Sequence, residues 1–240
     1  TVLFLEQHFL PTVEIHALVQ VGSAQDPPDK AGLANLTASL LDEGTLTRTS
    51  RQIAEQIDFV GGSLEAHAAE DFTTASTRVL KKDADLGFAL LADMLQHPAF
   101  HKQEFERVRT QILGEIVSDD DDPGNVAMKA FHQLIFHGHP YSWPAHGTEE
   151  TLNKITVADI QQFHAREYLP NQTILVIVGD LTQDQAAALV QTHFGSWKKG
   201  PPSPYQIKKP ASIERKMVQL IEKDLTQSTI VLGHTGISRT

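Results

Sequence analysis

The chain has 240 residues, 40% apolar and 21% charged, a balance that lets a globular chain bury a core without staples. It contains no cysteine, which excludes disulfide scaffolds, Cys-ligated zinc and thiol chemistry. The formal net charge of −10 argues against nucleic-acid binding and against electrostatic docking on anionic lipid. No apolar run approaches the roughly 20 residues that span a bilayer. Thr1 is not a methionine and residues 2–5 already read as a strand, so an upstream segment is expected to have been removed.

Residues 13–21 alternate with period two, which puts Val13, Ile15, Ala17, Val19 and Val21 on one face of a half-buried strand. A loop follows through Gly22 and residues 26–29. From Ala31 the period becomes helical, with Leu33, Leu36 and Leu40 on one face and Gly44 where a terminating glycine would sit. Thr49 or Ser50 can cap a second helix carrying Ile53, Ile57 and Val60. Gly61 and Gly62 close that helix and open two strands, 63–67 and 72–79, joined around Glu70 and Asp71. Further helices are predicted at 83–96, 101–118, 124–136, 157–167 and 184–194, with a clear strand at 174–178. The acidic run 119–122 lacks the glycine and spaced oxygens of a calcium loop and reads as a solvated turn. The stretch 198–204, rich in Pro and Gly, is the strongest linker signal, and two strand-like runs follow at 217–221 and 229–232. Residues 1–200 are therefore expected to form one α/β unit, 201–211 a linker, and 212–240 the start of a second unit.

Residues 32–45 read GLANLTASLLDEGT. They resemble the inverted zinc motif of the insulinase/pitrilysin (M16) metallopeptidases, G-L-A-H-x-x-E-H-x-x-x-x-G-T. The glycines, the Leu-Ala pair and the Gly-Thr end are in place. Asn35 stands for the first histidine, Ala38 for the glutamate and Ser39 for the second histidine. The likeness covers nearly the whole chain in order: residues 19–23 before the motif, Gly61-Gly62 and its two strands, His139-Pro140-Tyr141 with Gly147, and residues 168–171 through 178–180.

A helix turns 100° per residue, so positions 35, 38 and 39 share a face. Two imidazoles four apart can hold one Zn²⁺, and a glutamate between them moves the proton of metal-bound water. Asn and Ser offer only weak neutral oxygens to zinc, and Ala38 offers no base. The family's third ligand is a glutamate on a later helix. Glu115 falls there, 115 − 39 = 76 residues after Ser39, as the residual ligand position. The residues alone also allow Glu115 to be a carboxylate wetted at a helix surface, and Asn35 and Ser39 to be polar filler or to shape a groove. The family's second glutamate, seven residues earlier, is replaced by Val108; Arg109 beside it matches a family arginine.

In active relatives an edge strand pairs with the peptide through its main chain. The matching strand here holds Glu65, Ala66, His67 and Ala68, and Glu65 replaces the family's substrate-contacting asparagine. Other patterns lead nowhere. His137 and His139 lack a third ligand, Asn171-Gln172-Thr173 is a chance-level sequon, there is no G-x-S-x-G elbow, and residues 233–236 are too short for a phosphate loop.

The resemblance implies an α/β (α+β) fold of the LuxS/MPP-like type, a mainly antiparallel sheet packed against helices. It implies a non-catalytic M16 homologue without zinc, the substrate-binding or scaffold partner of an active zinc peptidase subunit or homologous chain. Peptide is the implied substrate, and the periplasm is preferred to the cytoplasm. Two alternatives stand beside it: a peptidase with an atypical metal site, and a purely structural subunit.

Overall fold

The computed structural model describes residues 1–201, 207, 209–213 and 215–237. Its centre is a five-stranded sheet of order β1-β5-β2-β4-β3, built from β1 (Val2–Glu6), β2 (Thr12–Val19), β3 (Ser63–Ala68), β4 (Thr73–Leu80) and β5 (Thr173–Gly179). Only β1 and β5 run parallel, from Val2 opposite Leu175 to Glu6 opposite Gly179. The other pairs are antiparallel, with Ile15 opposite both Thr77 and Ile177. This is the mainly antiparallel sheet the resemblance implies.

The period-two pattern decides which face is covered. Val13, Ile15, Ala17 and Val19 are fully buried, while their neighbours on β2 are half-buried. Helices supply the cover: α1 (Leu33–Ala38), α2 (Ser50–Phe59), α3 (Ala84–Gln96), α4 (Lys102–Asp121), α5 (Pro123–Ile135), α6 (Glu149–Leu152), α7 (Val157–Glu167) and α8 (Gln183–Phe194). Phe88, Leu91 and Met94 of α3, Leu36 of α1 and Phe163 of α7 meet the sheet in one core. Burial of such side chains is the main stabilising term, roughly 1.5–3 kcal/mol for each large one.

Local chemistry explains the boundaries. Thr49, rather than Ser50, caps α2: its Oγ1 accepts from Gln52 N at 3.2 Å, and Gln52 Oε1 accepts from Thr49 N at 2.9 Å. Three sequence expectations need correction, and one helix was not expected. The helix carrying the degenerate motif stops at Ala38 instead of running towards Gly44. It unwinds through tighter turns, Leu40 N to Thr37 O and Leu41 N to Ala38 O, and Gly44 bridges Thr49 instead of capping a helix. Asp119 to Asp121 are not a turn but the last turn of α4; Asp122 then caps α5, accepting from Asn125 N at 2.9 Å, with Pro123 at the first position. The short helix α6, capped by Thr148, carried too few residues to show a period. The runs 217–221 and 229–232 form no strands, and Val218, Leu220, Ile230 and Leu232 stay exposed. An apolar run becomes a strand only where a neighbouring edge completes the ladder, and no described strand does so there. Of the expected linker 201–211, residues 202–206 and 208 lie outside the described residues, as do 214 and 238–240 of the unit expected after it.

Candidate functional site

The degenerate motif starts at a clamp. The Asp26 carboxylate is buried and accepts from Gly32 N and Ala34 N, both at 2.9 Å, which satisfies donors that the first turn of α1 leaves open. Burial pushes the Asp26 carboxyl up to about 7, against the pull of the amides of Ala34, Gly32 and Leu33. Gly32 has φ +97°, and a Cβ there would lie 2.7 Å from the His146 carbonyl oxygen. Gly147 has φ +80°, and its Cβ would lie 2.2 Å from Ala31 O. The two loops meet backbone to backbone, which only glycine allows at these angles. Upstream of Gly147, His139 Nδ1 accepts from Tyr141 N at 3.2 Å and the Tyr141 hydroxyl donates to Asp71 at 2.5 Å. The His146–Gly147 end of the H-P-Y…G segment therefore packs against the residues that lead into α1.

On α1, Ser39 N donates to Asn35 O at 2.9 Å, so positions 35 and 39 lie one turn apart on one face. Both are half-buried, whereas Leu36, Thr37 and Ala38 are sealed against the core. The helix packs mainly on β3, β4 and α7. Neither the Asn35 amide nor the Ser39 hydroxyl hydrogen-bonds to a described residue. Thr37 Oγ1 is turned back onto Leu33 O at 2.7 Å.

Glu115 lies on α4, whose inward row is Phe105, Val108, Ile112 and Ile116. Its carboxylate is exposed and accepts from Gln111 Nε2 at 3.1 Å. Val108 is a core residue in that row, and Arg109 pairs with Glu106 and lies 5.0 Å over the Phe105 ring. No interaction joins Glu115 to Asn35 or Ser39 among the described residues, and those residues contain no group of three or more His, Asp or Glu able to hold a metal ion. The donor set does not fit zinc: an amide, a hydroxyl, a buried methyl and one carboxylate already hydrogen-bonded.

The four positions on β3 divide by face. Glu65 and His67 are exposed on the side away from the helices, and Glu65 Oε1 accepts from Ser76 Oγ at 3.4 Å. Ala66 is half-buried, and Ala68 joins the core, so neither presents a side chain as Glu65 and His67 do. As the sheet order requires, β3 pairs only with β4, which leaves its other backbone edge without a described strand.

Sequence reasoning missed a cavity of about 190 Å³ beside this region, lined by Asp119, Asn125, Met128, Lys129, His132 and Trp143. Lys129 Nζ lies 3.1 Å from Asp120 Oδ1, and Asn125 Nδ2 donates to Asp119 Oδ1 at 3.1 Å. The lining comes from the end of α4, from α5 and from the loop before Gly147, so no local motif announces it. His164 also had no assigned role. Burial lowers its imidazole to about 4, and the neutral ring bonds Leu95 O at 2.9 Å and stacks on Tyr168.

Residues 1–149 match the sequence profile of the insulinase family (Peptidase family M16), and residues 154–239 match that of the peptidase M16 inactive domain. The chain belongs to the M16 family. It is 28% identical over 238 residues to an uncharacterized zinc protease of Rickettsia bellii, covering 99% of this chain and 57% of that protein. It is 35% identical over 178 residues to an uncharacterized zinc protease of Mycobacterium leprae, covering 74% of this chain and 40% of that protein. A peptidase M16 inactive domain from Pseudomonas fluorescens superposes with a TM-score of 0.82 at 28% identity, over 88% of this chain and 51% of that one. Pitrilysin shares the fold, with a TM-score of 0.77 at 24% identity, over 87% of this chain and 23% of that one. The chain thus spans about half the length of the relatives first matched.

Proposed function

We propose that this chain is a catalytically inactive M16 homologue that serves as the non-catalytic, substrate-binding or scaffold partner of an active zinc peptidase subunit. One observation carries this reading: the helix face that should present two imidazoles and a carboxylate presents the Asn35 amide, the Ser39 hydroxyl and the sealed methyl of Ala38. Zinc hydrolysis needs a charged or imidazole ligand set and a base beside the bound water, and this face has neither. The likeness to the Pseudomonas fluorescens peptidase M16 inactive domain supports the same reading. No described helix is long and apolar enough to cross a membrane. The periplasm is the proposed location, and osmotic-shock fractionation tests it.

Peptide capture would fall to the free edge of β3. Strand addition uses main-chain donors and acceptors and survives the loss of the metal site. Glu65 and His67 line the sheet face next to that edge and would set preference among peptides.

Zinc titration by calorimetry is the decisive experiment, with peptide cleavage measured with and without a chelator. No stoichiometric zinc and no chelator-sensitive cleavage are expected from the isolated chain. Tight one-to-one zinc, or cleavage that a chelator abolishes, overturns the proposal. Mixing with an active M16 subunit is expected to give a complex whose cleavage exceeds that of either chain alone.

A further inference from the structure

The loop 97–101 joins α3 to α4 and carries backbone strain. Phe100 has φ +49°, a left-handed angle that a bulky residue keeps only where packing holds it. Phe100 is buried, and its ring meets the His164 ring of α7 edge-on, 5.3 Å between centroids. On its other side the imidazole stacks on Tyr168 at 4.7 Å. His164 Nε2 donates to Leu95 O at 2.9 Å. Leu95 lies in the last turn of α3, whose final carbonyls have no acceptor role within the helix. One imidazole thus fastens together the end of α3, the strained loop and α7. The loop in turn fastens the end of the degenerate motif: Ala99 N donates to Gly44 O at 3.0 Å, Leu46 N donates to His97 O at 2.9 Å, and Thr45 bridges Pro98. At its far end His101 O accepts from Phe105 N at 2.9 Å and opens α4.

We infer that His164 is an acid-sensitive latch: neutral, it holds loop 97–101 against α7, and on protonation it releases that loop together with residues 44–46. With Nε2–H given to Leu95 O, the neutral ring needs nothing more. A second proton places an N–H on Nδ1, and no described residue accepts there. The surrounding groups give the cation no support. Burial lowers the imidazole to about 4; the bond to Leu95 O opposes this, and the charge of His97 at the end of α3 adds to it. Asp93 of α3 is held by Arg48 at 2.6 Å, with His97 Nδ1 at 3.5 Å from its other oxygen. On α7, Arg166 pairs with Glu167 at 2.6 Å, and in the loop His101 is exposed. Burial raises the Tyr168 hydroxyl and keeps it neutral. Asp26, which bears on Tyr168, takes up its proton as pH falls and so acts in the opposite sense to His164. In the released loop the imidazole regains its ordinary value of 6.5, so the open form binds the proton first. Closure is complete above that value and is lost as pH falls towards 4. The opening equilibrium should rise about fiftyfold between pH 7 and pH 4.5. The latch acts on the two elements that carry the motif and Glu115, and it stands whether or not the chain hydrolyses peptides.

Hydrogen exchange read by mass spectrometry tests this on the whole chain, with protection factors corrected for the intrinsic pH dependence of exchange. Between pH 7 and pH 4.5, peptides covering 44–49 and 97–105 are expected to lose about fiftyfold in protection, while 13–19 on β2 keeps its own. His164→Gln keeps an uncharged N–H donor for Leu95 O and removes the titration, so the loss should disappear. His97→Gln, the neighbouring titratable group, should leave it in place. No loss in the parent chain, an equal loss at 13–19, an undiminished loss in His164→Gln, or abolition by His97→Gln overturns the inference. A readout without any substitution is the imidazole carbon resonance of His164 in the parent chain. It should keep its neutral position down to pH 5. A ring that titrates near 6.5 while residues 44–46 stay protected overturns the latch just as well.

Discussion

Asn35→His with Ser39→His should make α1 bind zinc without disturbing the fold. Both positions are half-buried and form no hydrogen bond with a described side chain, so the exchange should cost no more than about 0.5 kcal/mol. The bond from Ser39 N to Asn35 O places the two imidazoles one turn apart, the spacing with which two histidines share one metal ion. Ala38 stays in place because its methyl is fully buried. A ligand that binds only the folded state at one hundred times its Kd stabilises it by about 2.7 kcal/mol. For a domain of this size that is a rise in melting temperature of about 5–10 °C. Adding Glu115→Gln asks whether α4 supplies a third oxygen. A tenfold loss of affinity at the same zinc concentration leaves about 1.4 kcal/mol, half the shift. Calorimetry sets the zinc concentration, and thermal unfolding followed by circular dichroism reads the shift against the parent chain, for which none is expected. A double variant with parental structure and no zinc-dependent shift would refute the face assigned to positions 35 and 39.

Three further outcomes follow from the packing. Asp93→Ala should destabilise the chain by about 3 kcal/mol in urea unfolding. The Asp93 carboxylate accepts from Thr45 Oγ1 at 2.7 Å, Thr47 Oγ1 at 2.9 Å and Arg48 at 2.6 Å, and its loss strands all three. Burial raises the Asp93 carboxyl, but the bonds from Thr45, Thr47 and Arg48 outweigh it and hold it below the ordinary value. Its contribution should therefore be complete above about pH 4 and vanish as pH falls through the lower folded value. Asp26 has the opposite sign. With a folded pKa of about 7, the folded state holds a proton that the unfolded chain has released. Stability from this group is complete below about pH 4 and is lost as pH rises through 7, so Asp26→Asn should flatten the stability profile across that window. Gly147→Ala should cost about 3 kcal/mol or more, because φ is +80° and the new Cβ would meet Ala31 O at 2.2 Å. A denaturation midpoint within experimental error of the parent would show that the two loops are not pressed together.

Where the covering of an element repeats along its length, the sequence made it legible. The alternation of Val13, Ile15, Ala17 and Val19 located β2 and its buried face, and the capping residues Thr49 and Ser50 located the start of α2 within a residue. The strands 2–5 and 174–178 were legible too, but which strand pairs with which was not. Residues 217–221 and 229–232 are apolar enough to read as strands, but no described strand offers them an edge to pair with. The acidic run 119–122 misled for a related reason: helix packing through Ile112 and Ile116 carries α4 on through residues whose own preference is for turns.

At the candidate site the division is sharper. Which chemical groups occupy positions 35, 38 and 39 was fixed by covalent structure alone, and with it the lack of imidazole and base, since no fold can supply a side chain that is not encoded. The tertiary structure decided everything that depends on distance or cover. It seals Ala38 while leaving Asn35 and Ser39 half-open, and it splits residues 65–68 between solvent and core. It gathers a cavity from α4, α5 and the loop before Gly147, and it leaves Leu3 and Leu5 of β1 exposed. Cover and distance are set by elements far apart in the chain, here β1 against β5 across more than 170 residues, and a local reading of residue types contains no measure of them.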